Sequence, residues 1–303
     1  MPGELASLLM AEAVELVLDA KARLGEGAVW DAQRQLLYWV DIEGHEVHVF
    51  DPAAVRDRSF ALGDSVGTVV PRAKGGLALT LGRAFAALDL ETRKVSVLAE
   101  PEEEKVRHGN RFNDGKCDPR GRFWAGTMAV SEAPSAGALY RFDPDGRVRR
   151  ILEGVSISNG IAWSAAADLM YYIDTPTREV AVFDYDDAAG EVANRRVAVR
   201  FPARHGWPDG MTMDAEGMLW IAEWEGGCVS RWNPARGKLL RRIALPVSRV
   251  TSCAFGGAGL DELYVTTAWS RLDPGQRRAQ PLAGGLFRIR PGVKGVPAFA
   301  FAG

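Results

Sequence analysis

Residues 110–128 read NRFNDGKCDPRGRFWAGTM. An Asn-Asp-Gly triplet directly in front of a hydrophobic run reads, taken alone, as a hairpin turn, because Asp-Gly suits central positions of positive φ that glycine adopts without steric cost. The same arrangement recurs along the chain: a polar residue and a glycine, a few apolar residues, a turn, then a Leu/Tyr/Trp run. It appears as LGEGAVWDAQRQLLYWVD from Leu24, ISNGIAWSAAADLMYYID from Ile157 and WPDGMTMDAEGMLWIAE from Trp207. TSCAFGGAGLDELYVTT from Thr251 is a looser copy, and SVGTVVPRAKGGLALTL from Ser65 a degenerate one, which makes six units.

The hydrophobic runs start at Leu37, Leu77, Phe123, Met170, Leu219 and Leu263, so successive starts lie 40, 46, 47, 49 and 44 residues apart. A period in this range, with several short strands per unit, belongs to a β-propeller. Within each unit, runs such as GALYRFDPDGRVRRIL and MYYIDTPTREVAVFDYD alternate with period two and break at D-P, D-G, N-P and R-G turns. The fold expected is all-β, a six-bladed β-propeller that takes residues 1–303 as one domain, with residues 1–13 as a disordered or short helical extension. LASLLMAEAVEL, residues 5–16, is the nearest approach to a helical pattern. Closure of the ring is expected from N- and C-terminal strands, with VELVLDA at 14–20 and VPAFAFA at 296–302 as the partners.

Composition narrows the function classes. With 37 basic and 39 acidic residues the net charge is −2, and no basic face points to nucleic acid or an anionic membrane. The apolar stretch ASLLMA is too short to span a bilayer, so a cytoplasmic protein is expected. Cys117, Cys228 and Cys253 are odd in number and lack C-x-x-C spacing, which suits buried thiols. No G-x-S-x-G nucleophile motif and no phosphate-binding loop occurs, and His45 and His48, three apart on a strand, point to opposite faces.

If the units are equivalent, the residue before each repeated glycine occupies one place, at the start of an inner strand beside the channel. Those residues are Glu26, Asp114, Asn159 and Asp209, with Ser252 in the looser copy. Three carboxylates converging on one end of a channel raise one another's pKa unless a cation intervenes. The alternative is that these are solvated turn residues, as Asn-Gly and Asp-Gly often are; Glu26, with no turn preference, speaks for the cation.

LGEGAVWD, RFNDGKCDPRGRFWAGTM, ISNGIAWS, PDGMTMDAEGMLWIA, TSCAFGG and AGGLFRI together resemble the regucalcin (senescence marker protein) and gluconolactonase family, six-bladed propellers that hydrolyse sugar lactones with a divalent cation; the resemblance runs from about residue 22 to 295. It implies metal ligands at Glu26, Asn159 and Asp209, with Asp114 next to the metal through water. It also implies substrate contacts from Arg111 and Asn113. An all-oxygen ligand set suits hard cations, calcium first, then Mg²⁺ or Mn²⁺, and the resemblance adds Zn²⁺ or Fe²⁺ as alternatives. Asp209 would be the general base on water and the partner a small sugar lactone, with no obligate protein partner. One departure concerns the loop after GTM: a glutamate found there in some members falls on Ser131, with Glu132 beside it. His205 and Trp207 stand close to Asp209 in sequence, where a pocket wall is expected. A calcium-dependent hydrolase of other esters, favoured by an apolar pocket around Trp207, Trp224 and Trp269, and a non-catalytic metal-binding propeller are the competing readings.

Overall fold

The computed structural model describes residues 14–102 and 109–303, so the extension expected over residues 1–13, and His108, lie outside the described residues. The strands form six four-stranded antiparallel sheets, the blades of a β-propeller. Each blade begins with an inner strand: Gly25–Asp31, Val66–Pro71, Asn110–Cys117, Ser158–Trp163, Trp207–Met213 and Val250–Gly256. Each inner strand packs beside that of the next blade and the sixth beside the first, so all six surround one channel. The second strands carry Leu37, Leu77, Phe123, Met170, Leu219 and Leu263, in agreement with the repeat spacing.

A blade that is covered on both faces must bury both, and the cores are distributed accordingly. Six apolar clusters occur, one at each junction of neighbouring blades. Between the third and fourth blades, for example, Trp124 and Leu139 meet Trp163, Tyr172 and Phe183. The outermost strands are exposed and rich in arginine, as in Val148–Val155 with Arg149 and Arg150 and Glu191–Arg200 with Arg195 and Arg196. Charged side chains on an edge oppose pairing with another chain.

N- and C-terminal strands close the ring. In the sixth blade Glu15–Leu18 is outermost and pairs antiparallel with Leu286–Ile289, placing Glu15 opposite Arg288 and Leu16 opposite Phe287. The partner is therefore 286–289 and not 296–302, which corrects the expected pairing. Pro291 and Pro297 lack the N–H a ladder needs, and Gly292, at φ +77°, turns the chain away. Residues 296–299 instead line a small cavity together with Trp30, Trp163 and Phe255. Phe301 is buried against Phe123 and Phe142 and donates its N–H to the Pro71 carbonyl at 2.8 Å. Glu15 and Leu16, the end of the helix-like stretch, belong to the closing strand. No helix among the described residues is long and apolar enough to cross a membrane. Cys117, Cys228 and Cys253 are buried and unpaired.

Candidate functional site

Every inner strand breaks register with its neighbour near its start: between Glu26 and Val29, Val66 and Val69, Phe112 and Gly115, Ser158 and Ile161, Pro208 and Met211, and Val250 and Ser252. A bulge adds a residue to one strand and re-aims side chains there. Asp114, Asn159 and Asp209 sit inside these breaks and Glu26 at the edge of its own, which is how a strand start presents a polar side chain to the channel rather than to the blade interface. The glycines after Asp114, Asn159 and Asp209 permit close approach of blades. A Cβ on Gly160 would stand 2.5 Å from the Met211 Cβ and 2.8 Å from the Asp209 carbonyl oxygen.

Backbone anchors hold the segments leading in. The Asp41 carboxylate accepts from the N–H groups of Arg23 and Leu24, at 2.8 and 2.9 Å, just ahead of Glu26. Asp174 accepts from Ser156 and Ile157 ahead of Asn159. These aspartates end the second strands of their blades, so each loop is fixed by the strand it will pair with.

The side chains of Glu26, Arg111, Asn113, Asn159 and Asp209 line one cleft of about 380 Å³ at this end of the channel. Arg111 Nη1 donates to Asn113 Oδ1 at 2.7 Å; Asn113 Nδ2 donates to the Ser158 carbonyl at 2.7 Å and to Asn159 Oδ1 at 3.2 Å. Trp207 and Trp224 form apolar walls. Trp207 is held by the Arg178 guanidinium, stacked 3.8 Å from its ring centre. Asp114 is buried but does not line the cleft; its Oδ1 accepts from Gly115 N at 2.7 Å. Ser252 is buried against Gly210.

Electrostatics mark this cluster as incomplete on its own. Burial, and then the charge of Asp114, push the Glu26 pKa up to about 8. Burial also raises Asp209 well above the usual carboxylate range, with Glu26 and Asp114 adding repulsion, and burial raises Asp114. The Glu26 and Asp209 carboxyls face each other within hydrogen-bond reach, while Asp209 Oδ1 is buried without a partner. Such a pair requires a proton or a cation between its oxygens. Two carboxylates and an amide carbonyl offer three hard oxygen donors, so the residues present fit a divalent cation. No group of three His, Cys, Asp or Glu side chains in metal-holding geometry occurs among the described residues; the candidate set here is two carboxylates and one asparagine.

Sequence reasoning did not find Thr175, Ser270 or Arg271, all of which line the cleft. They sit just beyond second strands, outside the inner-strand motif that guided the alignment of repeats. Glu132 lines the cleft and pairs with Arg271, joining loops of the third and sixth blades across its mouth, whereas Ser131 is exposed. His205 is not a pocket wall: it is buried beside Phe201 and Trp232, with Nδ1 3.5 Å from Glu223 Oε1. Trp269 also lies off the cleft, stacked under Arg277.

Comparison with known proteins agrees with this architecture. Residues 24–269 match the family described as SMP-30/Gluconolactonase/LRE-like region. Regucalcin of Oryctolagus cuniculus is 41% identical over 296 residues, covering 96% of this chain and 98% of that one. YvrE of Bacillus subtilis (strain 168), named as a sugar lactone lactonase, is 40% identical over 288 residues, covering 95% and 98%. The crystal structure of a calcium-binding protein, regucalcin, from Agrobacterium tumefaciens superposes with a TM-score of 0.91 at 27% identity, covering 96% and 97%. The chain belongs to the SMP-30/gluconolactonase/LRE-like family.

Proposed function

We propose that this protein hydrolyses a sugar lactone to the corresponding aldonic acid, with a divalent cation held by Glu26, Asn159 and Asp209. The observation that carries the reading is the meeting, in one cleft, of two buried carboxyls that repel each other and a hydrogen-bonded Arg111–Asn113 pair. The relatives named as regucalcin and as a sugar lactone lactonase support it, and the calcium-binding relative makes Ca²⁺ the first cation to try.

Bound there, a divalent cation would supply Lewis-acid polarisation of the lactone carbonyl. Arg111 and Asn113 hold hydroxyl and carbonyl oxygens of the sugar, so that the carbonyl carbon is presented to water above Asp209. Asp209, ionised, takes a proton from that water as oxygen attacks the carbon. The ring C–O bond then breaks, and the proton passes to the departing alkoxide, giving a hydroxy acid. Trp207 and Trp224 narrow the cleft and exclude bulk water. Their apolar surface favours a second substrate class, lactones or esters with apolar substituents, which belongs in the same assay.

The test is proton release from a panel of five- and six-membered aldonolactones and simple aryl esters. Chelator-treated protein is compared with protein restored with Ca²⁺, Mg²⁺, Mn²⁺, Zn²⁺ or Fe²⁺. Turnover of an aldonolactone that requires a cation and drops by ~10³-fold or more in Asp209→Ala is expected. No rate above spontaneous hydrolysis with any pair would overturn the assignment, and turnover of aryl esters alone would transfer it to the second class.

A further inference from the structure

A cation can bind Asn159 only through Oδ1, yet an amide presents an oxygen and an NH₂ of nearly the same shape. Something must hold the oxygen toward the channel. The structure contains a hydrogen-bond chain that has one possible direction. It starts at Arg111, which can only donate, and its Nη1 takes Asn113 Oδ1 at 2.7 Å. That leaves Asn113 Nδ2 to donate to the Ser158 carbonyl and, at 3.2 Å, to Asn159 Oδ1. Asn159 Nδ2 is thereby turned the other way and donates to Thr175 Oγ1 at 2.8 Å. The Thr175 hydroxyl has one proton, which goes to the Pro208 carbonyl at 2.8 Å. A carbonyl can only accept, so both ends of the chain are of fixed polarity and every amide between them follows.

Thr175 is the joint in this chain. It opens the short 3₁₀ turn Thr175–Thr177 that follows the second strand of the fourth blade, and its own N–H is tied to the Ile157 carbonyl at 3.1 Å. It touches Asn159 on one side and, on the other, the residue before Asp209. We propose that Thr175 is a positioning residue of the cation site: its hydroxyl turns the Asn159 amide so that Oδ1, with a lone pair left over from the Asn113 contact, faces Glu26 and Asp209, and it pins the backbone that delivers Asp209. This rests on the cation site proposed above.

The experiment titrates Ca²⁺, and separately Mn²⁺, into the chelator-treated full chain by calorimetry, and follows thermal unfolding without metal. Thr175→Val keeps the shape and removes the hydroxyl; Thr175→Ser keeps the hydroxyl. Loss of an interaction that orients a ligand costs 10- to 100-fold in metal affinity, so Thr175→Val is expected to bind about that much more weakly, and Thr175→Ser within about threefold of wild type. The loss of cation affinity in Thr175→Val should be present well below its metal-free melting temperature, where the variant is fully folded, which separates positioning from general stability. If Thr175→Val does not fold, Thr175→Ala removes the same hydroxyl with less bulk against Pro208 and is read the same way. Wild-type affinity in the variant lacking the hydroxyl, or equal loss in Thr175→Ser, overturns the proposal. Wild-type protein that binds neither cation overturns the cation site as well, so the two failures are distinguishable.

Discussion

At Glu26 an almost wholly buried acidic side chain accepts from the Gly27 N–H at 3.0 Å, and the charge of Arg111 only partly offsets its burial. Its pKa rises from 4.5 to about 8 on folding, through burial first and Asp114 second. The folded, metal-free chain therefore binds more protons at Glu26 than the unfolded chain does between these values, and stability falls as pH rises. Asp209 and Asp114, both raised by burial, act in the same direction. In chelator, the melting temperature is expected to decline steadily from about pH 5 to about pH 8 as this linkage requires. Glu26→Gln should flatten the decline, and saturating Ca²⁺ should remove most of it. A melting temperature that rises with pH over this range in chelator would contradict the electrostatic account. Glu26, Asn159 and Asp209 were legible, since each stands before a repeated glycine, whereas Arg111 and Asn113 were reached through the family resemblance. Thr175 was not legible: a threonine after an Asp carries no sequence signal until its hydroxyl is seen between Asn159 and Pro208.

The element that makes the site is the bulged inner strand. Its repeat contains two acidic positions with different duties. The one before the glycine enters the channel. The one beyond the strand, as in Asp118 and Asp214, accepts from the indole N–H of Trp124 and Trp220 at 2.8 and 2.9 Å and ties the strand to its neighbour. Both look alike in sequence; pairing register separates them. Because the inner strands of the fourth and fifth blades meet at Gly160, with no room for a Cβ, Gly160→Ala is expected to destabilise the fold by about 1–3 kcal/mol through overpacking. A shift of the urea midpoint with unchanged slope would register this. An unshifted midpoint would mean that the blades can separate without cost.

For the whole molecule, the ring is closed at one blade and stoppered at one end. The C-terminal segment covers the end of the channel remote from the cleft, where Phe301 fills a space between Phe123 and Phe142 with centroids 6.3 and 5.2 Å away. Phe301→Ala should cost about 3–5 kcal/mol of stability, read from denaturant unfolding. Cation affinity measured by calorimetry should be unchanged below the melting temperature, because the stopper and the cleft sit at opposite ends of the inner strands. A loss of cation affinity equal to that of a ligand variant would show that the two ends are coupled.

Six-fold repetition, the inner-strand positions and the places of Glu26, Asn159 and Asp209 were legible in the sequence, because hydrophobic period and turn chemistry are local and recur six times; Arg111 and Asn113 were pointed to only by the family resemblance. The strand that closes the ring, the covering of the far channel end by residues 296–302, the absence of His205 from the cleft and the bond between Glu132 and Arg271 were decided only by tertiary structure. Each depends on contacts between residues far apart in the chain, for which neither periodicity nor composition carries information. The direction of the chain from Arg111 to Pro208 belongs with them: it follows from which donor meets which acceptor across three blades, and that is settled when the ring closes.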